Sequence, residues 1–176
     1  ETIGAQAWRV RDMIGDTMLF ARPPQPEFTT CVLNNIVDKA INGLSADLNP
    51  KGARVRFSAN SQIQVFADET QIATLISHLL RNACEAVNEL NGEGQVTVEL
   101  QREGTHAVCL KITDNGPAIP PDIRQHLFDP FFSGRQAGRG LGFGLCHVWQ
   151  ITRMHNGILL QESLSEGNRF MAVLPT

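Results

Sequence analysis

The sequence has no CxxC pair. Its four cysteines, Cys31, Cys84, Cys109 and Cys146, stand far apart, and three of them fall inside apolar-periodic segments. This argues against a zinc site or a disulfide framework and for buried thiols in a reducing compartment. No apolar run approaches the roughly 18–20 residues that span a bilayer, and the opening residues lack a signal-peptide pattern. There is no internal repeat and no low-complexity tract, which excludes a solenoid. A large charge excess is also missing. Lys plus Arg number 15 and Asp plus Glu 18, for a net charge of −3, so the chain has no broad attraction for nucleic acid or an anionic membrane. What is present is ordinary for a globular protein, with 42% hydrophobic and 19% charged residues. The 176 residues suffice for one domain's core with a short attachment. The chain opens at Glu1 rather than at a methionine, so the expectation is a piece excised from a longer protein.

Ile3, Ala7, Val10, Ile14, Thr17 and Ala21 recur in alternating steps of four and three. That seam predicts a helix built to pack on a partner helix, the alternative being a helix lying on its own domain. Pro23, Pro24 and Pro26 stop it and form a stiff connector, the candidate domain boundary. A helix capped by Thr29 or Thr30 is expected next, burying Val32, Leu33, Ile36, Val37, Ala40, Ile41 and Leu44. Two short strands follow, around Val55–Ala59 and Ile63–Val65, with Asn60-Ser61 a turn candidate between them.

The strongest periodic segment runs from about Asp68 to Leu90. Ile72, Leu75, Ile76, Leu79, Leu80, Ala83, Val87 and Leu90 form its apolar stripe. Asp68 is the expected N-cap, with Gln71 placed for a capping box. His78, Asn82 and Glu85 share another face, either as one edge of a cleft or as a solvated polar face. Strands around Val96–Leu100 and Val108–Ile112 come next, and the second delivers Asp114 at its end. A helix from Leu141 to His155, burying Leu145, Val148, Trp149 and Ile151, is stopped by Asn156-Gly157. Strands Ile158–Leu164 and Arg169–Leu174 close the chain. The order predicts an α+β fold, a two-layer sandwich of about three helices over a mixed, mostly antiparallel sheet.

The stretch from Asp114 to Leu145 carries the chemistry. It opens with an acid and a glycine after an apolar strand, passes through Phe128, Phe131 and Phe132, and ends in glycines 138, 140, 142 and 144 ahead of a helix. Glycines before a helix start let backbone N–H groups approach an anion, which suggests a phosphate cradle. The usual nucleotide fingerprints are missing. There is no GxxxxGK[ST], and the GxGxxG-like string at 138 has Phe143 in place of the third glycine.

Four strings stand in fixed order: LISHLLRNACEAV with Asn82, DNGPAIP, LFDPFF and GRGLGFGL. They resemble the N, G1, F and G2 boxes of the sensor histidine kinase ATP-binding domain, a member of the GHKL ATPase group. GNRFMAVLP resembles that domain's closing strand, and the heptad helix with LFARPPQP resembles the second helix of the dimerisation and phosphoacceptor hairpin with its linker. The resemblance implies a boundary near residue 26, with residues 27–176 as the catalytic domain. It implies ATP and Mg²⁺ as ligands, and Asn82 as the metal-binding and catalytic carboxamide. Asp114 would read the adenine amine, with Gly116 and Ala118 beside the base. Gly138, Gly140, Leu141 and Gly142 would close on the phosphates, with Arg135 and Arg139 as candidate phosphate contacts, the alternative being exposed arginines that point to water. The implied partners are the protein's own acceptor hairpin in a homodimer and a response regulator receiver domain, in the cytoplasm and without nucleic acid.

The sequence departs from that pattern in three places. His78 stands where these kinases commonly carry another asparagine; as a cofactor-binding candidate its imidazole would contact water or phosphate, and it is expected to titrate near neutrality. Ala118 replaces the second glycine of DxGxG, and its methyl is expected to narrow the base pocket or stiffen the loop. The lid between the phenylalanines and the last glycines is short. None of the five histidines is followed by the acid that usually flanks an accepting histidine, so the acceptor is expected upstream of Glu1. The rival readings are a GHKL ATPase or serine kinase, and a nucleotide-binding module or pseudokinase that signals without phosphotransfer.

Overall fold

A computed structural model describes residues 21–44, 53–88, 90, 94–132 and 142–176. The heptad segment before Ala21 lies outside the described residues. The elements are β1 (Thr29–Val32), α1 (Leu33–Asn42), β2 (Arg54–Ala59), β3 (Gln64–Ala67), α2 (Glu69–Val87), β4 (Gln95–Glu103), β5 (Ala107–Asp114), a short α3 (Pro121–Arg124), α4 (Gly144–Met154), β6 (Ile158–Ser163) and β7 (Asn168–Pro175).

The main sheet has strand order β2-β4-β5-β7-β6. The β2–β4 pair is parallel and the other three pairs are antiparallel. Alternate residues of β4, β5 and β7 are buried: Val96, Val98 and Leu100; Val108, Leu110 and Ile112; Phe170, Ala172 and Leu174. They stand in cross-strand register, so one face of the sheet is apolar. Ile72, Leu75, Ile76, Leu79, Leu80, Ala83 and Val87 of α2 join the same core, with Leu33, Ile36 and Val37 of α1 and Val148 of α4. The expected two-layer α+β sandwich is the observed one. All four cysteines are buried, and none forms a disulfide. Burial pushes the Cys84 thiol up to about 11, with the nearby charges of Glu85 and Asp114 adding to it, so it is an inert thiol.

Two expectations before α2 are corrected. Thr29 and Thr30 do not cap a helix. They belong to β1, which pairs antiparallel with β3 as a separate two-stranded sheet. The β-branched tract TTCV takes the extended state, and α1 starts after it with no side-chain cap. Nor do the next two strands form a hairpin across Asn60-Ser61. β2 pairs with β4 and β3 with β1. Asn34 fixes the divergence, since its Oδ1 accepts from the Ile63 N–H at 2.9 Å and its Nδ2 donates to the Ser61 carbonyl at 3.1 Å.

The start of α2 is tightly held. Asp68 Oδ1 accepts from the Gln71 N–H at 3.0 Å and Oδ2 from the Glu27 N–H at 2.9 Å. Burial opposes the Asp68 charge, but the backbone donors of Gln71, Glu27 and Thr70 and the adjacent His155 outweigh it and hold the carboxyl below its usual range. The capping box is incomplete. Gln71 turns away to donate to the Pro24 carbonyl at 3.0 Å, and the Asp68 N–H instead donates to His155 Nε2 at 3.1 Å. His155, buried at the end of α4, also bonds the Ile151 carbonyl through Nδ1 at 2.9 Å, so it locks the C-terminus of α4 to the N-terminus of α2. Asp68→Ala removes the acceptor for the backbone N–H groups that meet at the start of α2. It should lower unfolding free energy by about 1–2 kcal/mol in urea titration; a loss below about 0.3 kcal/mol would contradict this account of the cap.

Candidate functional site

Helix α2 is the spine of the site. His78, Asn82 and Ala86 follow at four-residue steps, which places them about 6 Å apart along one face. At one end, a Cβ added to Gly144, the first residue of α4, would lie 3.5 Å from His78 Nδ1. At the other, a Cβ on Gly116 would lie 2.9 Å from Ala86 Cβ and 2.9 Å from Asp114 Oδ1. The crowding that requires glycine at 116 therefore comes from α2 and the neighbouring carboxylate. Asn82, half-buried, sits midway between the start of α4 and the loop that Asp114 opens.

Asp114 is 3% exposed. It lies in the helix-facing row of the sheet, opposite Val96 on one side and Asn168 on the other. Its Oδ1 accepts from the Gly116 N–H at 2.9 Å and from Asn168 Nδ2 at 3.2 Å. Asn168, 1% exposed, also donates to the Pro117 carbonyl at 2.9 Å and accepts from the Ile119 N–H at 2.9 Å. Gly167 precedes it with φ of +105°, and a Cβ there would fall 1.8 Å from the Asp114 carbonyl oxygen, so strand β7 meets β5 backbone to backbone at this point. A cavity of about 600 Å³ adjoins the loop, lined by Leu90, Asn115, Gly116, Pro117, Ala118, Ser165, Glu166 and Gly167. That volume is within the range of small-molecule sites. Ala118 is exposed on its wall.

Asn168 was not singled out in the sequence. GNRFMAVLP reads as a closing strand, and the only signal was one of parity. Asn168 shares its face with Phe170, Ala172 and Leu174, and a polar side chain in an otherwise buried row calls for a partner.

Helix α4 starts three residues later than expected, at Gly144, with Phe143 as its N-cap and no capping side chain. Its first turn thus presents backbone N–H groups of the kind that bind anions. Gly142, with φ of +75°, packs on the backbone of Phe131 and Phe132, where an added Cβ would approach to 2.6–2.8 Å. Phe128 packs against the core, but Phe131 is 64% exposed and rests its edge on Phe143, with ring centroids 4.7 Å apart. Trp149, expected in the core, is 42% exposed and lies under the Arg153 guanidinium. Four of the expected phosphate-side residues, Arg135, Gly138, Gly140 and Leu141, lie outside the described residues, as does Arg139.

His78 differs from the sequence expectation. Its ring lies 5.8 Å from that of His147 on α4. Burial, then the nearby charges of His147 and Arg81, push its pKa down to about 4, so it is neutral at physiological pH rather than half-titrated. A histidine whose folded pKa lies below its ordinary 6.5 supports the fold above pH 6.5 and loses that support as pH falls toward 4. Stability should therefore decline over that interval by up to about 1.4 kcal/mol per pH unit from this residue. His78→Asn should flatten the slope, measured by urea unfolding at several pH values; an unchanged slope would place the titration elsewhere.

Residues 67–176 match the family described as histidine kinase-, DNA gyrase B-, and HSP90-like ATPase. The sensor histidine kinase ZraS of Salmonella typhimurium is 27% identical over 177 residues, covering 99% of this chain and 37% of that protein. The chain thus spans little more than a third of that relative's length. The catalytic domain of histidine kinase ThkA superposes with a TM-score of 0.75 at 25% identity, covering 85% of this chain and 95% of that one. Histidine kinase ThkA in complex with response regulator protein TrrA gives 0.78 at 21% identity, covering 98% of this chain and 49% of that one. A shared fold, four boxes in order and the helix that joins their sites agree with these matches, and the chain belongs to the histidine kinase-, DNA gyrase B- and HSP90-like ATPase family, among the catalytic regions of sensor histidine kinases.

Proposed function

We propose that this chain binds Mg·ATP and supplies the catalytic half of a protein-histidine kinase. The observation that carries the reading is the order of groups along α2. The N-terminus of α4 adjoins His78, the Asp114 loop adjoins Ala86, and Asn82 lies between them. A nucleotide laid along that face has its phosphates toward the helix start and its base toward the buried carboxylate. Asp114 then accepts a hydrogen bond from the exocyclic amine of adenine, which guanine, with a carbonyl there, cannot donate. The N–H groups opening α4 take up phosphate charge.

The donor chemistry suits Mg²⁺. A hard cation that arrives on phosphates and keeps most of its waters needs few protein oxygens, and a neutral carboxamide such as that of Asn82 is sufficient. No group of three His, Cys, Asp or Glu side chains that would hold a metal by itself occurs among the described residues. Bound there, the ion would neutralise charge on the β- and γ-phosphates. The chain's own groups orient the nucleotide so that the γ-phosphorus faces an incoming imidazole. An N–P bond forms as the bond from phosphorus to the bridging oxygen breaks, and ADP leaves.

The acceptor is proposed to lie outside this region, since the histidines nearest the site are held in its packing and His106 and His126, though exposed, lack a following acid. His147 and His155 are buried. His126 pairs with Asp129 at 2.7 Å. His78 lies at the seam of α2 and α4. The segment before residue 27 is proposed as the end of the dimerisation hairpin. The acceptor is then a histidine on that hairpin in a homodimer. The next recipient is a response regulator receiver domain, by analogy with the complex of ThkA and response regulator protein TrrA. A kinase of this kind works in the cytoplasm. Among the described residues no helix is long and apolar enough to cross a membrane.

A hairpin carrying the acceptor histidine, added in trans, should become labelled from ATP bearing a radioactive γ-phosphate. Asn82→Ala should reduce that labelling on the order of a hundredfold, the usual cost of removing one group that stabilises transition-state charge. Retention of full labelling by Asn82→Ala would remove the carboxamide from the mechanism. ATP binding without any labelling of a complete hairpin would favour a binding module over a kinase.

A further inference from the structure

The helix-facing row that contains Asp114 runs Val55, Val96, Asp114, Asn168, Ser163 across five strands. It starts as core and ends as a polar cluster beneath the loop 115–120. Asn168 sits at the centre. Its Nδ2 donates to the Asp114 carboxylate at 3.2 Å and to the Pro117 carbonyl at 2.9 Å, and its Oδ1 accepts from the Ile119 N–H at 2.9 Å. Ser163, its cross-strand partner, donates to the Ile119 carbonyl at 3.3 Å. One carboxamide thus holds the acid at the start of the loop and two backbone groups farther along it.

From this geometry we infer that Asn168 is a specificity-setting positioning residue, which fixes the plane of the Asp114 carboxylate and thereby its discrimination for a 6-amino purine. The inference rests on the proposed reading of Asp114. Carboxylate rotation about Cβ–Cγ is governed by its donors, and the Gly116 N–H and Asn168 Nδ2 both fall on Oδ1. With two donors on one oxygen the carboxylate plane is set. With one it turns more freely, and a hydrogen bond to a ligand then carries an added ordering cost. The reach also limits which side chain can serve. Leucine keeps the approximate volume of the side chain but offers neither donor nor acceptor, and alanine offers neither with less bulk. The backbone allows little readjustment, because Gly167 is pressed against the Asp114 carbonyl oxygen.

The test compares two nucleotides on one protein. Purine riboside triphosphate lacks the 6-amine and so does not make the hydrogen bond that Asp114 reads in ATP. Calorimetric Kd values for Mg·ATP and Mg·purine riboside triphosphate are measured on the 176-residue chain and on Asn168→Ala and Asn168→Leu. The wild type should prefer ATP. Both variants should weaken ATP about tenfold, the scale of one charge-assisted hydrogen bond, while weakening the analogue less than about threefold. The ratio of the two Kd values does not depend on the folded fraction, so a partly unfolded variant still reports it. A wild-type preference retained in both variants, or parallel losses for the two nucleotides, overturns the inference and leaves Asp114 as the reader. A wild type that binds both nucleotides equally overturns the reading of Asp114 and this inference with it.

Discussion

A carboxylate in the helix-facing row of a sheet is costly to bury unless donors meet it. Asp114 occupies such a position, 3% exposed, two residues past Ile112 at the end of β5. The donors come from its own turn, through the Gly116 N–H, and from the adjacent strand, through Asn168. Much of the local backbone follows from this arrangement. The loop 115–120 is bound at Pro117 and Ile119 to the same asparagine. Gly116 is drawn against Ala86 of α2, and Gly167 closes on the Asp114 carbonyl. The carboxylate proposed to recognise a ligand amine is thereby held on the sheet rather than in a surface loop.

Helix α2 ties this acid to the other end of the site. Its apolar stripe is buried in the core and fixes its rotation, so the face bearing His78, Asn82 and Ala86 has one outlook. The N-terminus of α2 is held by Asp68, and His155 links it to the end of α4. The helix whose first turn is proposed to bind phosphate is thus connected at its far end to the helix that carries Asn82. Core packing and two polar locks thus set how the start of α4 lies along the face of α2 that bears His78 and Asn82.

Much of this was legible in the sequence. The periods of α2, β4, β5 and β7 were plain because each buries one face, and Asp68 announced its helix. The four boxes gave the family. The failures have physical causes. Thr29-Thr30 suits a helix cap and a strand equally well, and the choice fell to β3, a partner more than 30 residues away. Asn60-Ser61 reads as a turn, but whether the flanking strands pair is decided by β4, which follows α2. The depressed pKa of His78 depends on packing against α4, which no local pattern encodes. Trp149 falls on the apolar side of its helix in the sequence, yet α4 is buried mainly through Cys146, His147, Val148 and Thr152. Asn168 was hidden because its importance lies in what stands across the strand.

The central claim is that one pocket on α2 brings a purine to Asp114 and a phosphate-bound metal to Asn82. The most direct measurement is a crystal structure of this chain with Mg²⁺ and a non-hydrolysable ATP analogue. The account predicts the adenine amine within hydrogen-bonding distance of the Asp114 carboxylate, the Asn82 side-chain oxygen on the metal, and phosphate oxygens facing the first turn of α4. A nucleotide seated elsewhere, with Asp114 still bonded only within the protein and Asn82 away from the metal, would contradict it.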